Sequence, residues 1–236
     1  MQRLVSPELM DDPAADRDEL DASLTYIRWV NLALGGRAGL LRHLAHWSAR
    51  WPKDRPVTLL DIGTGSADIP LAAVRWARSQ GFDLQVTGID FHPTTLDLAR
   101  RHIADEPGIT LVQADALRLM DLYSHDAFDY VHAGMFLHHL NQLDVWTVLR
   151  IMDRLARAGI VWNDLVRSRT SLLAVNTLLI GQPRMVKHDA RASIRAGFTR
   201  AEVLDAAKRL DLHTYTRYHA HLFYRFTLAG EKRSAW

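Results

Sequence analysis

From Pro56 onward the apolar positions fall into short runs separated by amphipathic stretches. VTLLDIG (57–63) predicts a buried strand, and Ser66–Ser79 a helix that Gly81 stops. LQVTGID predicts the second strand, and PTTLDLARRHIAD a helix with proline at its first turn. GITLVQAD and FDYVHAG read as the third and fourth strands, NQLDVWTVLRIMDRLA as a long helix, and GIVWNDL as the fifth strand. Near-continuous apolar strands alternating with helices imply a parallel sheet covered on both faces. Thr199 and Glu202 form a capping box that opens a helix running to about Leu210. LHTYTRY and LFYRFTLAG then predict two strands joined around Ala220 by a link too short for a parallel crossover. They should form an antiparallel hairpin at the sheet edge. The expected class is α/β: a doubly wound seven-stranded sheet, mostly parallel with an antiparallel C-terminal strand, plus N-terminal capping helices.

The N-terminal pattern differs. Residues 1–19 are polar and acidic with two prolines, which predicts a mobile arm. Leu20, Leu24, Ile27 and Val30 then recur at helical spacing; Gly35-Gly36 breaks the run before a second short helix, Ala38 to His46. Residues 20–56 are therefore expected to form a helical cap. Farther on, SLLAVNTLLIG (171–181) predicts a helix flanked by Arg167, Arg169, Arg184 and Lys187. Its leucines read either as ordinary core or as the wall of a greasy pocket whose basic flanks meet an anionic lipid surface. The run is too short to span a bilayer.

Composition narrows the function classes. The 236 residues carry a formal charge of only +2 with arginines spread along the chain, so nucleic acid is not an expected partner. With no cysteine, disulfide scaffolds, thiolate metal sites and cysteine nucleophiles are excluded. The N-terminus lacks the apolar stretch of a secretion signal, and a cytoplasmic protein is expected. Twelve histidines raise metal binding, but the pairs His43/His46 and His219/His221 lack a third ligand at matching spacing, and no metal is expected.

The chemistry centres on DIGTGSAD, Asp61 to Asp68. A dinucleotide turn needs G-x-G-x-x-G, and here Asp68 fills the third glycine's position at a helix N-terminus, where a pyrophosphate would lie. A carboxylate there repels phosphate. The turn suits a nucleoside ligand without phosphate and with positive charge. In this loop the chain resembles the class I S-adenosylmethionine-dependent methyltransferases, and the resemblance runs from about Val57 to Gly230. It is most similar to small-molecule members acting on polyketide phenols, quinone precursors or lipids.

The resemblance implies a Rossmann-like methyltransferase domain over 57–236 and S-adenosylmethionine as cofactor, with S-adenosylhomocysteine as product. It assigns Asp61 to the methionine ammonium, with Gly63, Thr64, Gly65 and Asp68 forming the cofactor loop. Asp90 would take the ribose hydroxyls, and Phe91 would stack on adenine. Asp115 and Ala116 would meet the adenine amino edge, and Ala133 and Gly134 would lie under the methionine. Ala67 departs mildly from the family's small glycine.

Ligands of open parallel sheets bind at the carboxyl ends of the strands. The fourth and fifth strands end in MFLHHLN and WNDLVRSR, and a loop between Pro183 and Gly197 carries His188 and Asp189. An oxygen nucleophile needs its proton removed, for which neutral histidine is suited. His138, His139 and His188 are the candidate bases, and Tyr26, Asn163, Asp164 and Asp189 the candidate substrate contacts. The leading expectation is O-methylation of a small lipophilic phenol in secondary metabolism. C-methylation of a quinone-like or prenyl substrate stays open, as does a non-catalytic regulator with this fold. The expected partner is a small molecule; peripheral membrane contact stays open and oligomeric state unassigned.

Overall fold

The computed structural model describes residues 1–104, 106–213, 215–221 and 224–232. Its sheet contains β1 (Val57–Ile62), β2 (Leu84–Asp90), β3 (Ile109–Gln113), β4 (Phe128–Gly134), β5 (Ala156–Leu165), β6 (Tyr215–His221) and β7 (Arg225–Glu231). The order is β3-β2-β1-β4-β5-β7-β6. β1 to β5 run parallel, and β7 is antiparallel to both of its neighbours, β5 and β6. The expected sheet is thus present, with the C-terminal hairpin at its edge. Ala220, the expected position of the link, lies within β6, and Leu222 and Phe223 lie outside the described residues.

Helices α1 (Arg17–Ala33), α2 (Gly36–Trp47), α3 (Asp68–Ser79) and α4 (Pro93–Ile103) precede α5 (Gln142–Leu155). After β5 come α6 (Arg169–Leu178), α7 (Arg184–Ala196) and α8 (Arg200–Ala207). Several starts are chemically marked. Asp16 accepts from the amides of Asp18 and Glu19, Asn141 caps α5, and the predicted Thr199–Glu202 capping box forms. Segment 184–196 corrects the expectation of a loop. It is a helix whose inner face carries Val186 and Ile194 between small residues, a weaker apolar signal than a leucine stripe.

Two apolar layers sandwich the sheet. One joins α5 and α8 to Ile160, Trp162, Phe226 and Leu228. The other joins α3 to Leu40, Leu44 and Trp47 of α2. Trp47 stacks on Tyr130 of β4 with centroids 4.8 Å apart, and Trp51 Nε1 donates to the Tyr130 hydroxyl at 3.0 Å. The segment expected as one helical cap is therefore divided. α2 belongs to the core, while α1 reaches over the carboxyl end of the sheet.

Residues 1–16 differ from the expected mobile arm. The Arg3 guanidinium donates to the carbonyls of Leu140 and Ala196, both at 2.8 Å, and Asp189 accepts from the amides of Leu9 and Met10. The segment is a strap fastened across α7. Among the described residues no helix is long and apolar enough to cross a membrane.

Candidate active site

The strand ends and α1 enclose a cavity of about 510 Å³, a size typical of small-molecule sites (~300–1,000 Å³). Its floor is the turn after β1. Gly63 and Gly65 take φ of +69° and +53°, the left-handed region that glycine enters without strain. At Gly63 a Cβ would lie 2.7 Å from the Phe136 ring, so both dihedral and space demand glycine. Ala67 also sits in this region at φ +56°, so its departure from glycine costs roughly 1 kcal/mol.

Three carboxylates shape that floor. Asp61 accepts from the Thr64 hydroxyl at 2.7 Å and from His132 Nδ1 at 2.5 Å. Asp90, at the end of β2, accepts from the amides of Gly65 and His92, both at 3.0 Å. Burial raises its pKa against the pull of those two amides. Asp68 opens α3, where Asn31 Nδ2 donates to it at 3.1 Å and Arg37 Nε at 3.3 Å. All three carboxylates line the cavity, as do Phe91, Asp115, Ala116 and Gly134.

These residues fit S-adenosylmethionine. The floor is acidic where a dinucleotide would need neutral backbone, and each Asp90 oxygen keeps one lone pair beyond its amide bond. His132 Nε2 is buried without a partner beneath Gly134. That orphaned nitrogen marks a place for a polar ligand group.

The second half of the cavity is an ionic network. His138, buried after β4, donates from Nδ1 to Asp164 at 2.6 Å and holds Nε2 3.5 Å from Glu8 of the strap. His139 donates from Nδ1 to Asp11 at 2.7 Å, with Nε2 3.9 Å from Glu8. The Ser193 hydroxyl closes the network on Glu8 at 2.5 Å. Burial alone would raise the Glu8 carboxyl, but the charges of His139 and His138 hold it down at about 2. Burial likewise opposes charge on His139, yet Glu8 and Asp11 push it up to about 10. Asp164 raises His138 in the same sense, and His138 in turn holds Asp164 low, each against its own burial.

Glu8, His138 and His139 bring one potential metal-ligand atom each within 4.8 Å of one another. In the chain as it stands, three carboxylates, Glu8, Asp11 and Asp164, face the two imidazolium groups. His43, in contrast, packs against Trp47 with ring centroids 5.8 Å apart.

Of the candidate residues on the substrate side, Tyr26, His138, His139 and Asp189 line the cavity. The other three, and Ala133 among the cofactor candidates, are placed differently. His188 is half-exposed on the outer face of α7, because Asp189 occupies the inward position. Asn163 points toward the α2 side, donating to Thr227 at 2.8 Å and accepting from Arg225. Asp164 is fully buried behind His138 rather than in the cavity, so its reach is through the imidazole. Ala133 turns its methyl into the core, since only one side of a strand faces a ligand. The sequence reading missed Glu8, Asp11 and His132. A histidine amid the apolar FDYVHAG was a usable signal; nothing local ties Glu8 or Asp11 to residues more than 120 positions away.

Residues 59–159 match the family model of the methyltransferase domain. The chain is 34% identical over 100 residues to a demethylmenaquinone methyltransferase of Staphylococcus epidermidis, covering 42% of this chain and 39% of that protein. The corresponding protein of Staphylococcus aureus is 32% identical over 117 residues, covering 48% and 46%. The match thus spans less than half the length of these curated relatives. Among solved structures, magnesium protoporphyrin IX methyltransferase from Synechocystis PCC 6803 with bound SAH superposes at a TM-score of 0.58 and 13% identity, covering 84% of each chain. The CurJ carbon methyltransferase superposes at 0.60 and 12% identity, covering 78% of this chain and 50% of that one. At such identities the likeness is one of fold.

Proposed function

We propose that this chain, a member of the class I S-adenosylmethionine-dependent methyltransferases, methylates a small apolar hydroxyaromatic molecule at its phenolic oxygen. The observation that carries the reading is His138, backed by the buried Asp164, in the same cavity as the acidic glycine turn. S-adenosylmethionine supplies the electrophilic methyl group when bound. Asp61, Asp68 and Asp90 would hold its cationic and hydroxyl-bearing parts, with the glycine turn giving close backbone approach. On the other side, Tyr26, Leu178, Val186 and Ile194 give the substrate apolar walls.

Asp164 fixes the Nδ1–H tautomer of His138, so Nε2 is the nitrogen presented to the cavity. Glu8 occupies the position before it that a substrate hydroxyl would take. With Glu8 withdrawn, Nε2 is freed of its carboxylate partner, releases its proton to solvent and then accepts the phenolic one. The oxygen then takes the methyl group in an in-line displacement that depends mainly on positioning. His139, whose Nδ1 remains bonded to Asp11, would lend positive charge to the developing phenolate. A cytoplasmic enzyme of secondary metabolism accords with this substrate class.

A second reading is favoured by the relatives, which carry the name demethylmenaquinone methyltransferase. In a quinol, removal of the hydroxyl proton makes the adjacent ring carbon nucleophilic, so the same histidine serves C-methylation; the methylated carbon then loses its hydrogen as a proton and the oxygen is reprotonated, which restores the ring. Incubation with methyl-labelled S-adenosylmethionine and a panel of naphthols and hydroquinones separates the two by NMR. Label in a methoxy group supports the oxygen reading, and label in a ring methyl the carbon reading. Adenosyl binding without transfer to any hydroxyaromatic would overturn both and leave the regulator expectation in their place.

A further inference from the structure

The outer face of α6 and α7 carries a charge pattern that the cavity does not use. Residues 169–196 contain five Lys or Arg against a single acid, Asp189, and that acid is buried. On α7, Arg184, His188, Arg191 and Arg195 recur at helical spacing along one exposed stripe, with Lys187 beside them. On α6, Leu173, Asn176 and Thr177, continued by Ile180 in the turn after the helix, form a second exposed stripe. The side chains of Leu173 and Ile180 stand 70% and 80% exposed. Arg191 Nε donates to Asn176 at 2.8 Å, which sets the two stripes side by side. The strap borders the other flank, where the Leu4 amide donates to the Arg195 carbonyl and the Leu4 side chain is 56% exposed. A row of cations is thus bracketed by protruding aliphatic side chains on both sides.

Cations alone would suit any acidic partner. Isolated aliphatics raised beside them are what an acyl–headgroup boundary accepts, with the charges left at the phosphate level. We propose that this face docks on an anionic lipid bilayer. The inner sides of the same helices, through Val175, Leu178, Val186 and Ile194, form the apolar wall of the cavity. A consequence that rests on the methyl-transfer reading is that a lipophilic substrate enters from the bilayer, between these helices and the strap.

The test is co-sedimentation of the full chain with phosphatidylcholine vesicles with and without phosphatidylglycerol. Binding is expected to the anionic vesicles alone, weakening as salt rises from about 0.1 M to about 0.5 M. Each basic residue near the surface is worth about five-fold in partition. R184E/K187E/R191E/R195E should therefore weaken binding by roughly a hundred-fold or more. Leu173→Ser/Ile180→Ser should weaken it several-fold while leaving its salt dependence in place. Both variants leave the cavity lining untouched, so retained adenosyl binding reports that they fold. Equal binding to neutral and anionic vesicles, or none to either, overturns the proposal. So does retention on an acidic carrier protein without vesicle binding, or a solution dimer that Leu173→Ser/Ile180→Ser dissolves. Vesicle binding requires no methyl transfer, so its failure leaves the catalytic reading standing.

Discussion

Replacing Asp164 by asparagine removes one charge and almost no volume from a fully buried position. The carboxylate accepts from His138 Nδ1 at 2.6 Å, from the Leu165 amide at 2.8 Å and from Trp162 Nε1 at 3.3 Å. An asparagine oxygen can keep the amide bond, but the charge-assisted bond to the imidazole is lost. Such a bond contributes about 1.5–3 kcal/mol, so turnover should fall roughly ten- to 150-fold. The direction of the pH profile is the sharper readout. Asp164 raises the His138 pKa, so its removal lowers that pKa. A base works only when deprotonated, and the acidic limb of kcat/KM against pH should therefore move to lower pH as the plateau falls. A pH series on the methoxy product, beside an adenosyl titration showing an intact cofactor site, would measure both. A loss of rate with the acidic limb unmoved would refute His138 as the base and leave Asp164 a packing role.

Three further outcomes follow from the geometry. Glu8 stabilises strap closure above its ordinary value of 4.5 and loses that contribution as pH falls toward about 2, whereas His139 contributes fully below 6.5 and loses it as pH rises through about 10. Closure should peak between those ordinary values; protease cleavage near residue 8 should accelerate on both sides, and Glu8→Gln should raise and flatten that profile. Gly63→Ala forces a side chain into φ +69° and against Phe136, and should abolish adenosyl binding while lowering thermal stability by about 1–3 kcal/mol. Asp129 is buried against Arg55, Arg157 and the Thr58 amide, which hold its pKa low despite burial. Its stabilisation is present above the ordinary carboxylate range and lost as pH falls through the lowered value, so Asp129→Asn should remove part of the acid sensitivity of unfolding, read by denaturant titration across pH.

What the sequence revealed and what it hid have physical causes. The strands were legible because each is a short apolar run bounded by turn residues, and the cofactor turn because Gly63, Gly65, Asp68 and Asp90 are local signals. The hairpin was legible from the shortness of its link. α7 was not, because its inner face mixes Val186 and Ile194 with Asp189, Ala192 and Ser193, which blurs the helical period. α2 read as a cap because nothing in GRAGLLRHLAHW says that Trp47 meets Tyr130 more than 80 residues later. The Glu8–His138–His139 network was hidden for the same reason: its members meet only once strap, β4 exit and α7 are assembled. Pairing that depends on tertiary contact leaves no periodicity to read.

Calorimetric titration of the purified chain with S-adenosylmethionine, S-adenosylhomocysteine and NADH, repeated on Asp90→Ala, tests the central claim most directly. The predicted result is micromolar binding of both adenosyl ligands, no binding of NADH, and loss of the adenosyl heat in the variant. A folded chain that binds neither adenosyl ligand, or that binds NADH in their place, would contradict the methyltransferase account.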